Sequence, residues 1–320
     1  MRIDILALDG VFDTGLAALL DVFGAANELM PDQTPLVVRP VGVRRRVFTA
    51  HGLRVPVQPA HEGPPPDVLV APALGSKTPE ALGAALQRAD VRDAIELLGE
   101  RGAGGSRLAA ACTGTFMLAA SGALDGHQAT TTWWLAPFFR QRYPRVELDE
   151  SRMLVPSGSL VTAGAAVAHL DLALWLLRQL SPASAGIVAR YLMIDGRPSQ
   201  AAYAISDHLA HADPLIERYE AWARSHLAQG FSLPDAARAI GSSERTLARR
   251  LQRVLGKTPL SYFQDLRVEF AVHRLQTSRD SVDAIAAEVG YADGVTLRTL
   301  LRRRLGQGVR EIRGRQAGGS

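Results

Sequence analysis

The chain has 320 residues, of which 47% are hydrophobic and 21% charged, as is typical of a globular protein with room for two domains. It contains no low-complexity tract and no apolar run long enough to span a bilayer, and acidic residues interrupt its N-terminal apolar stretch in a way that does not suit a signal peptide. Cys112, the single cysteine, cannot form an internal disulfide, so we expect a cytoplasmic protein with no membrane partner.

The formal net charge of +4 is unevenly distributed along the chain. Residues 230–320 carry 16 arginine and lysine against nine aspartate and glutamate residues, a net charge of +7, whereas residues 1–229 carry −3. A basic tail of this kind attracts a polyanion, with nucleic acid as the leading candidate. The alternative interpretation is a solvated, arginine-rich surface.

Strands and helices alternate over the first hundred residues. The apolar spacing predicts strands at 3–8, 36–43 and 67–71, a helix from Asp13 or Thr14, a hairpin or strand pair at 47–57, and an amphipathic helix at 79–99. Such alternation predicts an α/β sandwich around a largely parallel sheet. Ligands of these sheets collect at the carboxyl ends of the strands.

The stretch around Cys112 reads as strand, sharp turn and helix. A buried strand at 108–111 leads into the turn Cys112-Thr113-Gly114, and a helix is predicted at 115–120. A side chain at such a corner faces the first free amides of the helix, which stabilise a thiolate or a bound carboxylate. Three interpretations remain open: a small packing residue, a residue of a ligand pocket, and a nucleophile.

Four blocks between residues 2 and 182 carry a resemblance to a known family. They are Ala110–Phe116, Leu124–Gly126, Ala129–Thr131 and Val161–Gly164. In these blocks the chain resembles the ThiJ/PfpI superfamily, which is similar in fold to class I glutamine amidotransferases. The resemblance implies a flavodoxin-like sandwich with a largely parallel sheet and with Cys112 at the nucleophile elbow.

The chain departs from that superfamily at residues that an enzyme needs. Protease-like members have a histidine directly after the cysteine, where this chain has Thr113, and many regulator-like relatives have a histidine at the position of Thr132. Enzymatic relatives also have an acid at the position of Gly15, although Asp13 is close enough to substitute. No histidine is expected nearby, since His169 lies on the helix after Gly164. We therefore expect no catalysis, no metal and no cofactor.

We therefore favour a pocket that only binds as the role of the corner, with a small packing residue at Cys112 as the alternative. The expected ligand-binding residues are Asp13, Cys112, Thr113, Gly114, Thr132 and Trp133. Helix-end amides favour a ligand with an amine or a carboxylate. Trp133 and its neighbour Trp134 have a core role as the alternative.

The sequence pattern changes between residues 190 and 213, where polar, turn-like residues indicate a boundary between two domains. We predict a first domain at 1–190, a linker at 191–212 and a second domain at 213–320, which begins with Asp213 as an N-cap and Pro214 at the first helical position. The second domain contains two predicted helix-turn-helix units. Their helices fall at 232–240 and 245–255, and at 281–289 and 295–305, and a long helix at 259–275 joins the units.

The second domain resembles the AraC-type DNA-binding domain. The resemblance is strongest at Leu255–Pro259, at Arg267, Ala271 and Leu275, and at Ile285–Tyr291. It implies base and phosphate contacts in two successive major grooves from the second helix of each unit. The expected DNA-binding residues are Ser243, Arg245, Thr246, Arg249, Arg250, Thr296, Arg298 and Arg302. For any one arginine, a solvated or phosphate-only role is the alternative.

Some residues of the second unit differ from the AraC-type pattern. Thr299 stands where that family usually has arginine, and Gln307–Val309 replaces its usual Ser-Pro turn. We therefore expect the second helix-turn-helix unit to bind DNA less firmly than the first.

The two resemblances together indicate a GlxA-like transcriptional regulator. We expect it to bind double-stranded DNA, to form a homodimer through the first domain and to sense a small-molecule effector. The alternative is a cysteine-dependent hydrolase, hydratase or amidotransferase-like enzyme that carries a DNA-binding domain.

Overall fold

The computed structural model describes residues 1–31, 34–197, 199–200 and 213–314. The chain divides into two compact units, Met1–Gln200 and Ala201–Ser320. Most of the predicted linker, residue 198 and residues 201–212, lies outside the described residues. No helix in the described ranges has the length and apolar character that crossing a membrane requires.

The first unit is built on a seven-stranded sheet with the order β10-β11-β7-β6-β1-β2-β5. All neighbouring strands are parallel except the edge pair β10 and β11, which is antiparallel. The strands of this sheet are β1 (Arg2–Leu6), β2 (Val37–Gly42), β5 (Gln58–Pro59), β6 (Val68–Ala71), β7 (Arg107–Ala111), β10 (Leu154–Ser157) and β11 (Leu160–Ala163). Two small strand pairs accompany it: antiparallel β3 (Val47–Phe48) and β4 (Arg54–Val55), and parallel β8 (Gln128–Ala129) and β9 (Glu147–Leu148).

Helices cover both faces of this sheet, because its central strands are apolar on both sides. Along β7, Ala109 and Ala111 pack on one face, and Leu108 and Ala110 pack on the other. The first face is covered by α1 (Asp13–Leu29), α6 (Ala168–Leu180) and α7 (Pro182–Tyr191). The second is covered by α2 (Pro79–Ala85), α3 (Ala89–Ala103), α4 (Gly114–Ala120) and α5 (Ala136–Arg142). The predicted α/β sandwich is confirmed.

Two local predictions for the first unit were wrong. The single helix predicted at 79–99 is two helices, because Arg88 has extended backbone at the start of α3 and its guanidinium donates to the carbonyl of Asp9, far away in sequence. Gly99 does not end α3, which continues to Ala103. The helix α5, which begins with Pro137 in its first turn, was not predicted.

The second unit is helical in its described part. Its helices are α8 (Pro214–Ser225), α9 (Leu233–Ala239), α10 (Glu244–Leu255), α11 (Pro259–Thr277), α12 (Val282–Glu288), α13 (Gly294–Leu305) and α14 (Val309–Gly314). A serine, threonine or aspartate side chain caps the start of each helix from α8 to α13 by accepting a backbone N–H of the first turn. The capping residues are Asp213, Ser232, Ser243, Thr258, Ser281 and Asp293. The predicted all-α domain with two helix-turn-helix units is confirmed.

Candidate functional site

Cys112 lies at a sharp corner between β7 and α4. Its backbone φ of +55° is in the left-handed region, which residues other than glycine rarely adopt. Its N–H donates to the Ala163 carbonyl at 2.9 Å. The helix that follows comes very close to the end of β6. A Cβ on Gly114 would lie 2.2 Å from the Ala71 carbonyl oxygen, so only glycine fits there. The local geometry is therefore the corner that the sequence predicts.

The thiol of Cys112 is buried, and among the described residues only a backbone amide and two hydroxyls act to lower its pKa. Burial raises its pKa to about 12, although the Thr113 amide and the hydroxyls of Thr132 and Thr113 act in the opposite direction. The Cys112 carbonyl accepts a hydrogen bond from the Thr131 hydroxyl at 2.7 Å. At neutral pH the sulfur is consequently a protonated thiol in a closed environment.

Three loops close over the corner. The Thr113 hydroxyl donates to the Leu74 carbonyl at 2.8 Å, and Val11 forms β-bridges to both Leu74 and Thr49. Of the residues expected to bind a ligand, Cys112, Thr113, Gly114 and Thr132 meet here and are buried, and Trp133 is half-buried beside them. The expected residues converge at a corner that is closed in this structure.

His169 occupies the space in which an enzymatic relative would carry its acid. The imidazole is fully buried, and its Nε2 accepts the Ala73 N–H at 3.1 Å while Nδ1 donates to the Ala166 carbonyl at 2.6 Å. Burial lowers its pKa to about 4. A Cβ on Gly15 would lie 2.6 Å from Nε2, so no acidic side chain fits at that position. The expectation of no histidine near this loop cluster was wrong.

Asp13, the residue expected to replace that acid, is held by the segment between β3 and β4. Its carboxylate accepts hydrogen bonds from the Thr49 hydroxyl at 2.5 Å and from His51 Nδ1 at 2.9 Å. Burial acts to raise the pKa of Asp13, but these hydrogen bonds outweigh it and the pKa is lowered. Sequence reasoning missed Thr49 and His51, because nothing local connects them to Asp13.

Gln200, the last described residue of the first unit, also reaches the corner. Its Nε2 donates to the Thr131 carbonyl at 2.8 Å and to the Thr130 hydroxyl at 3.2 Å, and its side chain is fully buried. Thr131 therefore contacts both Cys112 and the end of the unit. No group of His, Cys, Asp or Glu within the described residues could hold a metal ion.

The first helix-turn-helix unit consists of α9 and α10. The Ser243 hydroxyl accepts the Thr246 N–H at 3.2 Å and so fixes the start of α10. One face of α10 is buried through Leu247, Leu251 and Leu255. The opposite face exposes Arg245, Thr246 and Arg249, as predicted.

Arg250 differs from these arginines because it already has a partner. Its Nε lies 2.8 Å from Oδ2 of Asp213, whose other carboxylate oxygen caps α8 by accepting the Leu215 N–H at 2.9 Å. Arg250 is half-buried as a result, and its guanidinium has a fixed orientation at the edge of the exposed face.

The second helix-turn-helix unit, which consists of α12 and α13, repeats this arrangement. Asp293 accepts the Thr296 N–H at 2.7 Å and fixes the start of α13, of which Leu297, Leu301 and Leu305 are buried. The exposed face presents Thr296, Arg298 and Arg302. We refer to α10 and α13 as the reading helices.

A buried arginine of α11 contacts the segments that follow α8 and α12. Arg267 of α11 donates through Nε and Nη2 to the Leu227 carbonyl, at 3.0 and 2.7 Å. Its guanidinium also lies over the rings of Phe263, at 4.8 Å, and Tyr291, at 5.1 Å. Because Leu227 follows α8 and Tyr291 follows α12, this one side chain ties the segments after those two helices to α11.

Known proteins resemble both parts of the chain. Residues 236–315 match the family model described as a helix-turn-helix domain. The HTH-type transcriptional regulator GbdR of Pseudomonas aeruginosa is 26% identical over 214 residues, which are 65% of this chain and 58% of GbdR, so the match spans less than two thirds of that relative.

Two solved structures show the fold that the chain shares. A ThiJ/PfpI family protein from Pseudomonas syringae has a TM-score of 0.53 and 21% identity, over 69% of this chain and 86% of its own. An AraC family transcriptional regulator from Pseudomonas putida has a TM-score of 0.51 and 21% identity, over 60% of this chain and 98% of its own. The chain therefore combines a fold similar to that of the ThiJ/PfpI family protein with a helix-turn-helix domain at residues 236–315.

Proposed function

We propose that this protein is a sequence-specific DNA-binding transcriptional regulator that works in the cytoplasm. The observation that carries the proposal is the pair of reading helices, each capped at its start, buried on its leucine face and basic on its exposed face. The match to the helix-turn-helix family model and the name of the relative GbdR support it. Since 214 matched residues exceed the 120 of the second unit, the likeness to GbdR extends into the first.

The reading helices suit two successive major grooves of one DNA duplex. The connecting helix α11 has 19 residues, which at 1.5 Å per residue is about 28 Å, close to one turn of B-DNA. In this proposal Arg245 and Arg249 of α10 donate to guanine O6 and N7. Thr296 and Arg298 take the equivalent places on α13. The half-buried Arg250 and the exposed Arg302 suit phosphate contacts.

The first unit has a sensing and dimerising role in this proposal and no catalytic one. A nucleophilic cysteine needs a thiolate and a base, but the Cys112 thiol has a pKa of about 12 and His169 is committed to two backbone groups. An effector would bind where Cys112, Thr132 and Trp133 meet. It would act by opening the loops that close this corner, and so by shifting a population of conformations.

The test of DNA reading compares two arginines of the same domain. Arg249→Ala should reduce the preference for a selected operator over random DNA by about fivefold to a hundredfold, because a bidentate contact to guanine contributes roughly 1–3 kcal/mol. Arg238→Ala is the matched control, since Arg238 is exposed on α9 and pairs only with Asp235 among the described residues. Unchanged discrimination in the Arg249 variant, measured by gel shift, would refute its base-reading role.

The effector and the dimer have their own tests. A thermal-shift screen of amine- and carboxylate-bearing metabolites should give a ligand that raises the melting temperature, because a ligand bound only by the folded state must stabilise it. If the protein is a homodimer, light scattering coupled to size-exclusion chromatography of the full-length chain should give twice the monomer mass. The absence of any stabilising metabolite would leave dimerisation as the role of the first unit, and a monomer mass would reject the dimer.

A further inference from the structure

One carboxylate lies between the ends of the two reading helices. Asp265 is near the middle of α11, and its Oδ2 is 2.9 Å from Nζ of Lys257, two residues after the end of α10. Its Oδ1 is 2.8 Å from Nη1 of Arg304, in the last turn of α13. The neighbouring Gln264 accepts a second hydrogen bond from Arg304, at 3.1 Å.

We propose that Asp265 is the positioning residue that sets the distance between the two reading helices, and thereby selects operators by the spacing of their two contacted segments. The inference rests on the proposed DNA-binding function, and it adds a determinant of specificity that touches no base. Arg267 acts at a different place, since it binds the Leu227 carbonyl beside α8.

The charges explain why spacing should depend on this residue. Asp265, Lys257 and Arg304 are 21%, 28% and 30% exposed, so their attraction is less screened than that of a fully exposed pair. A neutral side chain at 265 removes both ion pairs at once. It also leaves two cations facing each other with no anion between them, which pushes the ends of the reading helices apart.

The rest of the domain does not depend on this carboxylate for its fold. The second helix-turn-helix unit has its own apolar core, in which Val268, Ala271 and Leu275 of α11 pack against Ile285 and Leu297. The buried Tyr262 and Phe263 are further anchors of α11. A variant at 265 should therefore fold and bind DNA with its two reading helices less firmly spaced.

The experiment measures a spacing penalty in the full-length protein. An operator is first selected with the wild-type chain, and versions with one base pair removed or inserted between its two contacted segments are then compared with it. We expect the wild type to lose about tenfold or more in affinity on either change, and Asp265→Asn to lose less than about threefold. Asp235→Asn is the control: it makes the same charge change, but Asp235 pairs only with Arg238 on α9 among the described residues.

Each outcome decides the matter. Equal spacing penalties in Asp265→Asn and the wild type would overturn the inference, as would a wild type that tolerates both spacings. A wild type that does not prefer any operator over random DNA would instead overturn the proposed function. If Asp265→Asn does not fold, Arg304→Gln removes one of the two ion pairs and should lower the penalty by itself, and an unchanged penalty there would reject the inference.

Discussion

At the scale of single residues, Gly15 and His169 show how closely α1 and α6 pack. Gly15 lies in α1 and His169 in α6, and the imidazole fills the place of a side chain at 15. A glycine inside a helix usually costs stability relative to alanine, by about 0.5–1 kcal/mol. At position 15 the imidazole of His169 leaves no room for a Cβ, so the close packing explains the glycine there.

Alanine scanning of the two glycines of α1 tests this packing. Gly15→Ala should destabilise the protein by roughly 1–3 kcal/mol, since its Cβ would overlap a ring fixed by two hydrogen bonds. Gly24→Ala is the matched control, because nothing lies within 4 Å of its Cβ, and it should stabilise by about 0.5–1 kcal/mol. Urea denaturation measures both, and equal effects of the two substitutions would contradict the position of His169.

His169 also gives the stability of the first unit a dependence on pH. Its folded pKa of about 4 lies below the unfolded value of 6.5, so between these two values the unfolded chain binds the proton and the folded chain does not. Stability therefore falls as the pH is lowered from about 6.5 to 4, by about 3 kcal/mol from this group. His169→Gln, which cannot be protonated, should have a smaller loss over this range in chemical denaturation. The same slope in both proteins would mean that His169 is not a buried neutral group.

The corner at Cys112 could be predicted from sequence, and its closure could not. Strand, turn and helix are adjacent in the chain, so local pattern is enough to place the left-handed residue. The groups that close it, Val11, Thr49 and Leu74, come from three other segments of the chain. Only the folded sheet brings these segments together.

At the scale of secondary structure, the cap of α8 at Asp213 was predicted because capping is a local property. Ser243 accepts a hydrogen bond from an N–H three residues later, and this spacing is visible in the sequence. The break at Arg88 was not visible, since it depends on the distant carbonyl of Asp9. Local signals therefore define the helices that carry the proposed DNA contacts, and tertiary contacts define the helix boundaries around the sheet.

Two adjacent serines offer a test of the cap on the first reading helix. Ser243→Ala should cost about 1 kcal/mol, because the N–H of Thr246 loses its acceptor. Ser242→Ala should cost much less, since among the described residues the Ser242 hydroxyl makes only one long hydrogen bond, 3.3 Å, to the Ser243 carbonyl. Thermal unfolding measures the difference, and equal costs would show that the cap does not stabilise α10.

At the scale of the whole molecule, the uneven charge places the polyanion partner on the second unit. Affinity of the full-length protein for DNA should fall linearly with the logarithm of salt concentration, with a slope of about −0.9 for each phosphate contact. This dependence can separate the two roles that an exposed arginine can have. An arginine that contacts phosphate contributes to the slope, whereas one that reads a base edge contributes to sequence preference.

Arg302 and Arg249 are expected to fall into different classes. Arg302→Ala should reduce the magnitude of the slope by about one and weaken operator and random DNA equally. Arg249→Ala should leave the slope nearly unchanged and weaken the operator alone. Arg238→Ala, on α9 and paired with Asp235, should change neither quantity. A salt slope near zero for the wild type would reject the C-terminal unit as the DNA-binding surface. Identical effects of Arg249→Ala and Arg302→Ala would reject the division of roles between the two reading helices.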